Sequence, residues 1–387
     1  MNIAFLIEQN YDPNAGGVQR STSKLAQIFK TNGHQVIVIS LSNLQNDEEI
    51  DGIKIFSVYG THKIDQSKLK QLFIEYNIET VINQAGYSIQ ITKLLFNVRK
   101  QKQFKVINTL RINPLNFITN HEVFISQFLK AKGLSFLNSS LLRAIILKYH
   151  KLKQVYELNF IIKHIDAFVM LSERFKPELY QISPQLKRYE DKIFGISNPF
   201  PIPNLKPEEL TKENAILFVG RLNITQKRTD LLLKIWEQLH HQLPDWKFWV
   251  VGHGAEKENM MDFCKKNKLD RVQFFGQCDP NPYYHKAKLF HMTSAFEGFG
   301  NVLVEAQSYG CVPIMFNSYS AAEDIVLDDK TGYLIQPFSI EDYVKQTLEL
   351  CHNDEKLKTL SLNAKDYCKN FSYEKTYEKW NTVLKSL

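Results

Sequence analysis

The sequence predicts an α/β protein built from parallel sheets in two domains, and three observations predict it. Short apolar, strand-like segments alternate with helical ones; the alternation starts twice, at Ile3–Ile7 and again at Ala215–Val219; and the proline-rich passage Asn198-Pro-Phe-Pro-Ile-Pro203 divides the two runs. A chain of 387 residues that is 44% hydrophobic can bury two cores of ordinary size. No internal repeat or low-complexity run complicates that division.

The elements follow in order. Ile3-Ala-Phe-Leu-Ile7 is a strand, and the loop holding Gly16 and Gly17 leads to a helix with Val18, Leu25, Ile28 and Phe29 on one face. Gly33 stops that helix before the strand Val36–Ile39, completing a strand-helix-strand unit. Thr80–Ile82, Lys105–Ile107, Ala167–Met170 and Lys192–Ile196 are the next strands, and 198–203 is read as a linker. The second start runs from Ala215–Val219 through a helix carrying Leu231, Leu232, Ile235, Trp236 and Leu239 to the strand Trp246–Val251. Val272–Gly276 and Leu289–Met292 are further strands, Asn301–Tyr309 is a helix ended by Gly310, and an aromatic-rich helix covers 371–387. Ligands in open α/β sheets bind beyond the carboxyl ends of the strands. The polar or glycine-rich turns 14–17, 108–114, 220–228, 252–254 and 293–300 fall there, which predicts an active site in the cleft between the domains.

Composition narrows the function classes. The apolar start meets Glu8 too early for a signal peptide, and no stretch approaches the length of a membrane span, so the expected location is the cytoplasm. Five cysteines, all in the second half and without C-x-x-C spacing, point to reduced thiols and away from zinc. The net charge of +7 is modest and does not call for nucleic acid. From Val123 to His164, however, Lys130, Lys132, Arg143, Lys148, Lys151, Lys153 and Lys163 stand against Glu157 alone, among many Phe, Leu and Ile residues. Two readings stay open for this region: a basic amphipathic surface for anionic lipid, which would make the protein peripheral on the inner face of the cytoplasmic membrane, or core-facing helices with solvated lysines.

The run Ser294-Ala-Phe-Glu-Gly-Phe-Gly-Asn-Val-Leu-Val-Glu-Ala306 carries the chemistry. Glu297 sits in a turn relieved of bulk by Gly298 and Gly300, and Glu305 follows about one turn into the next helix. Carboxylates there suit the hydroxyls of a sugar and a ribose, and the N-terminus of the helix starting at Asn301 suits a diphosphate. Arg221 and Lys227, in the turn after the second starting strand, are of the type that forks phosphate oxygens or supplies a point charge.

Glu297-x7-Glu305, with Gly298-Phe299-Gly300 between, resembles the signature of the retaining glycosyltransferases of family 4, the glycosyl transferases group 1. Val219-Gly220-Arg221-Leu222 followed by Gln226-Lys227-Arg228, the turn Val251-Gly252-His253-Gly254, the strand Val272-Gln-Phe-Phe-Gly276 and the Gly16-Gly17 loop are similar in the same order, so the resemblance covers most of the chain. It implies a GT-B fold: two Rossmann-like domains with parallel sheets facing across a cleft, an acceptor domain at 1–200, a donor domain at 201–370, and a C-terminal helix 371–387 crossing back onto the first. It further implies donor contacts from Gly16, Gly17, Arg221, Lys227, Gly254, Phe275, Glu297, Gly298, Phe299, Gly300, Asn301 and Glu305, with Glu297, Arg221, Lys227 and Arg111 as the catalytic group. Arg228 stands where glycine is common, and is either a third phosphate contact or merely exposed.

The strand ending at Ile107 leads into Asn108-Thr-Leu-Arg111-Ile-Asn113-Pro114, where many members have a histidine. Arg111 is thus either a contact to the donor's sugar or phosphate, or to an acidic acceptor, or a structural arginine tying down the turn. No histidine is nominated as a base; His34, His121 and His285 are expected at the surface or as caps. The chain has no D-x-D sequence, so cations and helix amides are expected to replace a metal, and no cofactor is expected beyond a nucleotide sugar, with UDP as its carrier. The expected acceptor is a glycan or lipid-linked oligosaccharide of a bacterial surface polysaccharide such as capsule or O-antigen. A small soluble acceptor, or a catalytically silent sugar-nucleotide-binding protein, are the alternatives; a dehydrogenase lacks its G-x-G-x-x-G after Ile7.

Overall fold

The computed structural model describes residues 1–13, 16–42, 47–59, 64–205 and 212–387. The chain forms two compact units, one of Met1–Pro199 with Thr376–Leu387 and one of Phe200–Lys375.

The first unit holds β1 (Asn2–Ile7), β2 (Gln35–Ser40), β3 (Glu48–Ile50), β4 (Ile53–Ser57), β5 (Thr80–Asn83), β6 (Lys105–Leu110), β7 (Ala167–Met170) and β8 (Ile193–Gly195). They form one sheet in the order β3-β4-β2-β1-β5-β6-β7-β8, parallel throughout except where β3 pairs antiparallel with β4. The central strands are buried on both faces, as an apolar run flanked by helices requires: Ile3, Ala4, Phe5 and Leu6 expose no surface. Helix Gly17–Thr31 buries Leu25, Ala26, Ile28 and Phe29, and Gly33, at φ 85°, ends it as expected.

Helix Tyr373–Ser386 completes this core. Trp380, Val383 and Leu384 join the cluster of Ile3, Phe5, Leu25 and Phe29, and Trp380 stands edge-on to Phe29 at 5.9 Å. The C-terminal helix therefore does return to the first sheet. His34 differs from the expectation of a surface residue: its Nε2 lies 2.9 Å from the Tyr377 hydroxyl and its ring packs edge-on against Phe29, because the helix Tyr373–Ser386 covers it. His121 does serve as a local cap, with Nδ1 2.9 Å from the Ile118 carbonyl.

The second unit holds β9 (Glu213–Val219), β10 (Lys247–Val251), β11 (Val272–Gly276), β12 (Ala287–Met292), β13 (Val312–Phe316) and β14 (Tyr333–Ile335). All pair in parallel, in the order β11-β10-β9-β12-β13-β14. Helix Thr229–His240 packs Leu232, Ile235, Trp236 and Leu239 onto this sheet, the face its spacing predicts. The passage 198–203 differs from a solvated linker. Asn198 and Phe200 are buried, and the Phe200 amide donates to the Phe371 carbonyl at 2.9 Å, so the prolines hold an extended strap that pairs with the chain beside Ser372.

Candidate functional site

In the second unit, the turn after β9 and the turn after β12 are knitted into one site. Asn223 starts it: its Oδ1 accepts the backbone N–H groups of Gln226 at 2.8 Å and Lys227 at 3.0 Å, curling 223–227 into a tight loop. The Thr293 hydroxyl at the end of β12 donates to the Lys227 carbonyl at 2.8 Å, and the Ala295 amide donates to the Gln226 carbonyl at 2.7 Å. These bonds seat Lys227 opposite Glu297. The ammonium is 2.6 Å from Glu297 Oε1, with each side chain only 10% exposed. Gln226 Nε2 donates to Glu297 Oε2 at 3.2 Å, and Arg221 Nη2 donates to Gln226 Oε1 at 3.0 Å. Arg221, Gln226, Lys227 and Glu297 thus form one continuous chain of charge and hydrogen bonds, with exposed Arg221 at its outer end.

The arrangement has a defined chemical capacity. A lysine ammonium has three donors, and Glu297 takes one of them at a short distance, leaving donors for further oxygens. The carboxylate in turn is held by two partners and keeps lone pairs for a polyol.

The glycines around the site answer to crowding. A Cβ on Gly252 would collide with the carbonyl of Gly220, and one on Gly254 with the carbonyl of Leu222. The two turns are zipped together by Gly220 N to Val251 O at 3.0 Å and Leu222 N to His253 O at 2.9 Å, which fixes the backbone that carries Arg221. Gly254 therefore acts through the 220–222 turn. Gly300 caps helix Asn301–Ser308 at φ 98°, and a Cβ there would meet the Tyr319 hydroxyl. That hydroxyl donates to the Phe299 carbonyl at 3.1 Å; burial first, and then the Glu297 carboxylate, push the phenol well above its usual titration range and keep it a donor.

The remaining predicted donor residues sit around this centre. Gly298 and Asn301 are half-buried beside it, Phe299 is buried, and Glu305 accepts a hydrogen bond from the Tyr284 hydroxyl at 3.2 Å through Oε2. Phe275 stands apart, partly exposed on the edge strand β11, with its ring 4.3 Å from that of Tyr283. Arg228 is partly exposed and has a local partner. It forms a two-pronged pair with Asp230, at 3.0 and 2.9 Å, and occupies the left-handed region at φ 50° before the helix.

In the first unit, Arg111 leaves the end of β6 and ties the residue after the neighbouring strand β5 to the segment after β8. Its Nε donates to Gln84 Oε1 at 2.9 Å and its Nη1 to Asn198 Oδ1 at 3.0 Å, so it does hold the turn in place. Nη2 is shielded from solvent and has no partner among the described residues, and the same holds for Nε2 of the buried Gln84, whose amide orientation is dictated by Arg111. Burial alone pushes the guanidinium down to about 10. Gly16 adopts φ 46° and precedes helix Gly17–Thr31; among the described residues, a Cβ on either Gly16 or Gly17 would meet nothing within 4 Å. Asn14 and Ala15 of that loop lie outside the described residues.

Sequence reasoning missed Asn223, Tyr284 and Tyr319, and quoted Gln226 without giving it a role. Asn223 had a local signal, an Asn three and four residues before the amides it caps. Tyr319 had none, because it reaches Phe299 across 20 residues of sequence.

Comparison with known proteins places these features in a family context. Residues 204–367 match the family model described as glycosyl transferases group 1. An uncharacterized glycosyltransferase of Haemophilus influenzae is 26% identical over 378 residues, covering 96% of this chain and 97% of the relative. The Campylobacter jejuni enzyme described as GalNAc-alpha-(1->4)-GalNAc-alpha-(1->3)-diNAcBac-PP-undecaprenol alpha-1,4-N-acetyl-D-galactosaminyltransferase is 32% identical over 176 residues, 45% of this chain and 48% of the relative. The crystal structure of Anabaena HepE in complex with UDP and glucose superposes with a TM-score of 0.73 at 16% identity, over the whole of both chains.

Proposed function

We propose, for a chain that belongs to the glycosyl transferases group 1 through residues 204–367, that it moves a sugar from a nucleoside-diphosphate sugar, with UDP as carrier, to a lipid-linked glycan acceptor with retention of configuration. The observation that carries this reading is the buried Lys227–Glu297 pair at 2.6 Å, linked through Gln226 to Arg221, with Glu297 four residues ahead of helix Asn301–Ser308. A polyol-binding carboxylate beside two cations and the positive end of a helix dipole matches the two halves of a sugar nucleotide.

In this mechanism the bond between the anomeric carbon and the diphosphate oxygen breaks, and its electron pair goes to that oxygen. Lys227 and Arg221 stabilise the charge as it develops, and fixed cations do so without reorganising at the moment of reaction. The acceptor hydroxyl attacks on the face the diphosphate leaves and gives its proton to the leaving phosphate oxygen. Glu297 positions the sugar hydroxyls, and Glu305, oriented by Tyr284, takes the ribose. The base lies along the edge strand β11 near Phe275. Arg111 and Gln84 direct their unpartnered donors to an oxygen of the donor or of an acidic acceptor. No metal enters these steps.

The lipid-linked acceptor is supported by the Campylobacter relative, whose name specifies an undecaprenol diphosphate substrate. The location proposed with this acceptor is the inner face of the cytoplasmic membrane. No helix among the described residues is long and apolar enough to cross a membrane.

Thermal stabilisation by nucleotides tests the donor reading. UDP is expected to raise the melting temperature more than GDP or ADP, equally with and without EDTA, and Glu297→Ala is expected to abolish transfer from UDP-sugars. No shift with any nucleotide, together with no transfer, would favour a protein that does not turn over sugar nucleotides; a shift lost in EDTA would overturn the metal-free mechanism.

A further inference from the structure

Among the described residues, exposed large apolar side chains are concentrated in one place. Ten of the twenty-one fall between Val123 and Tyr156. Helix Ser140–His164 carries the heart of this patch: Leu141, Ile145, Tyr149, Leu152 and Tyr156 are 57–71% exposed. At 100° per residue these five fall within an arc of about 80°, forming a stripe roughly 22 Å long. The same helix is anchored by its other side, where Leu158, Ile161 and Ile162 are fully buried and Gln154 Nε2 donates to the Tyr87 hydroxyl at 3.0 Å and the Pro114 carbonyl at 2.9 Å. It is therefore apolar on two faces, and only one of them is covered by the protein. In the segment that precedes this helix, Phe128 is 59% exposed and Phe136 80% exposed.

Charge says what covers it. The seven cations and one anion from Val123 to His164 give this segment +6 of the chain's net +7. Lys148, Lys151 and Lys153 are exposed. On the helical wheel Lys148 and Lys151 lie about 60° and 120° to one side of the stripe's centre, and Lys153 about 80° to the other. An apolar stripe bordered on both flanks by lysines fits a surface whose interior is hydrocarbon and whose rim is anionic, because the lysine stems lie along the apolar boundary while their ammonium groups reach phosphates. A second copy of the chain fits poorly: a two-fold contact would set the same +6 segments face to face.

We infer that helix Ser140–His164 lies in the plane of an anionic lipid bilayer, with the Leu141–Tyr156 stripe sunk to the level of the acyl boundary and Lys148, Lys151 and Lys153 on lipid phosphates. This deepens the membrane-side acceptor reading above and rests on it only for its purpose. Vesicle binding and donor binding are read by separate assays.

The test is cosedimentation of the full chain with vesicles of phosphatidylcholine alone or mixed with phosphatidylglycerol. The parent protein is expected on the mixed vesicles and not on the neutral ones. Replacing the lysines (K148Q/K151Q/K153Q) is expected to weaken partitioning about a hundredfold, and I145S/L152S at least tenfold, while UDP stabilisation of both variants stays at the parent's value. Both sets of positions are exposed, so the fold tolerates them. Equal partitioning onto neutral vesicles, unchanged binding by both variants, or no binding to either vesicle would overturn the assignment. A concentration-dependent dimer in sedimentation velocity that I145S/L152S dissociates would give the stripe to a second copy instead. Loss of vesicle binding with intact UDP stabilisation separates this inference from the donor site.

Discussion

Lys227→Met offers the sharpest test of the site's physics. The ammonium is 2.6 Å from Glu297 and both side chains are only 10% exposed. At that distance, with an effective dielectric of about 20, the Coulomb attraction is about 6 kcal/mol, most of it offset by the desolvation of both groups. A single truncation does not report this near-balance; it reports the stranded charge. Removing one partner of a buried pair typically costs about 3–5 kcal/mol, and here Gln226 Nε2 still donates to Glu297 at 3.2 Å, so the expected loss is about 2–4 kcal/mol. For a unit of this size that lowers the melting temperature by roughly 5–15 °C. Trp236, Trp246 and Trp249 lie in the second unit, so intrinsic fluorescence follows its unfolding with Trp380 alone reporting on the first. Glu297→Gln keeps the shape of the site and is expected to cost less. The double variant K227M/E297Q is expected to fall short of the sum by about 1–3 kcal/mol. A loss under about 1 kcal/mol for K227M, or strict additivity in the double variant, would refute the description of this pair as buried and coupled.

Three further outcomes are expected. Gly300→Ala forces a Cβ onto the Tyr319 hydroxyl at φ 98° and should destabilise the second unit by about 2–3 kcal/mol in urea unfolding, with donor binding weakened in parallel. His291 is buried on β12 and its imidazole is pushed down to about 3 by desolvation; it stays neutral when folded and takes a proton when unfolded below 6.5. Its stability contribution is thus complete above 6.5 and lost as pH falls toward 3, up to about 2 kcal/mol by pH 5, and H291Q should flatten the slope of melting temperature against pH over that window. Of five free thiols only Cys278 is exposed, and burial raises Cys264 to about 11 and Cys368 to about 12. Thiol titration of the native protein should find one fast group, absent in Cys278→Ser.

Much of the fold was legible because its signals are local. The apolar run Ala167–Met170 could be delimited to the residue, since a strand buried on both faces leaves no alternation to misread; Val272–Gly276, at the sheet edge and only half-buried, was found from its short apolar run ended by Gly276. The strands at the margins were harder. Glu48–Ile50 carries two glutamates and reads as polar loop, and it is a strand only because Ile53–Ser57 pairs with it. Within the site, residue types and their order singled out Arg221, Lys227, Glu297 and Glu305, the first three of which stand in one hydrogen-bonded chain. What joins these three was not visible: the amide of Gln226 bonds both Arg221 and, 71 positions further on, Glu297, and no local pattern encodes such a bridge. The double nature of the helix Ser140–His164 was also hidden, because sequence counts its apolar residues without saying which of its two stripes is covered.

Helix Tyr373–Ser386 has a consequence for the order of events during synthesis. The cluster around Phe5 and Phe29 stays open until Trp380, Val383 and Leu384 arrive, and these residues emerge from the ribosome only after the whole of Phe200–Lys375. At ordinary elongation rates the first sheet waits roughly 10–35 s with that face unclosed. The unit begun first is therefore finished last, and during the interval its uncovered strands are the part of the nascent chain most in need of a chaperone.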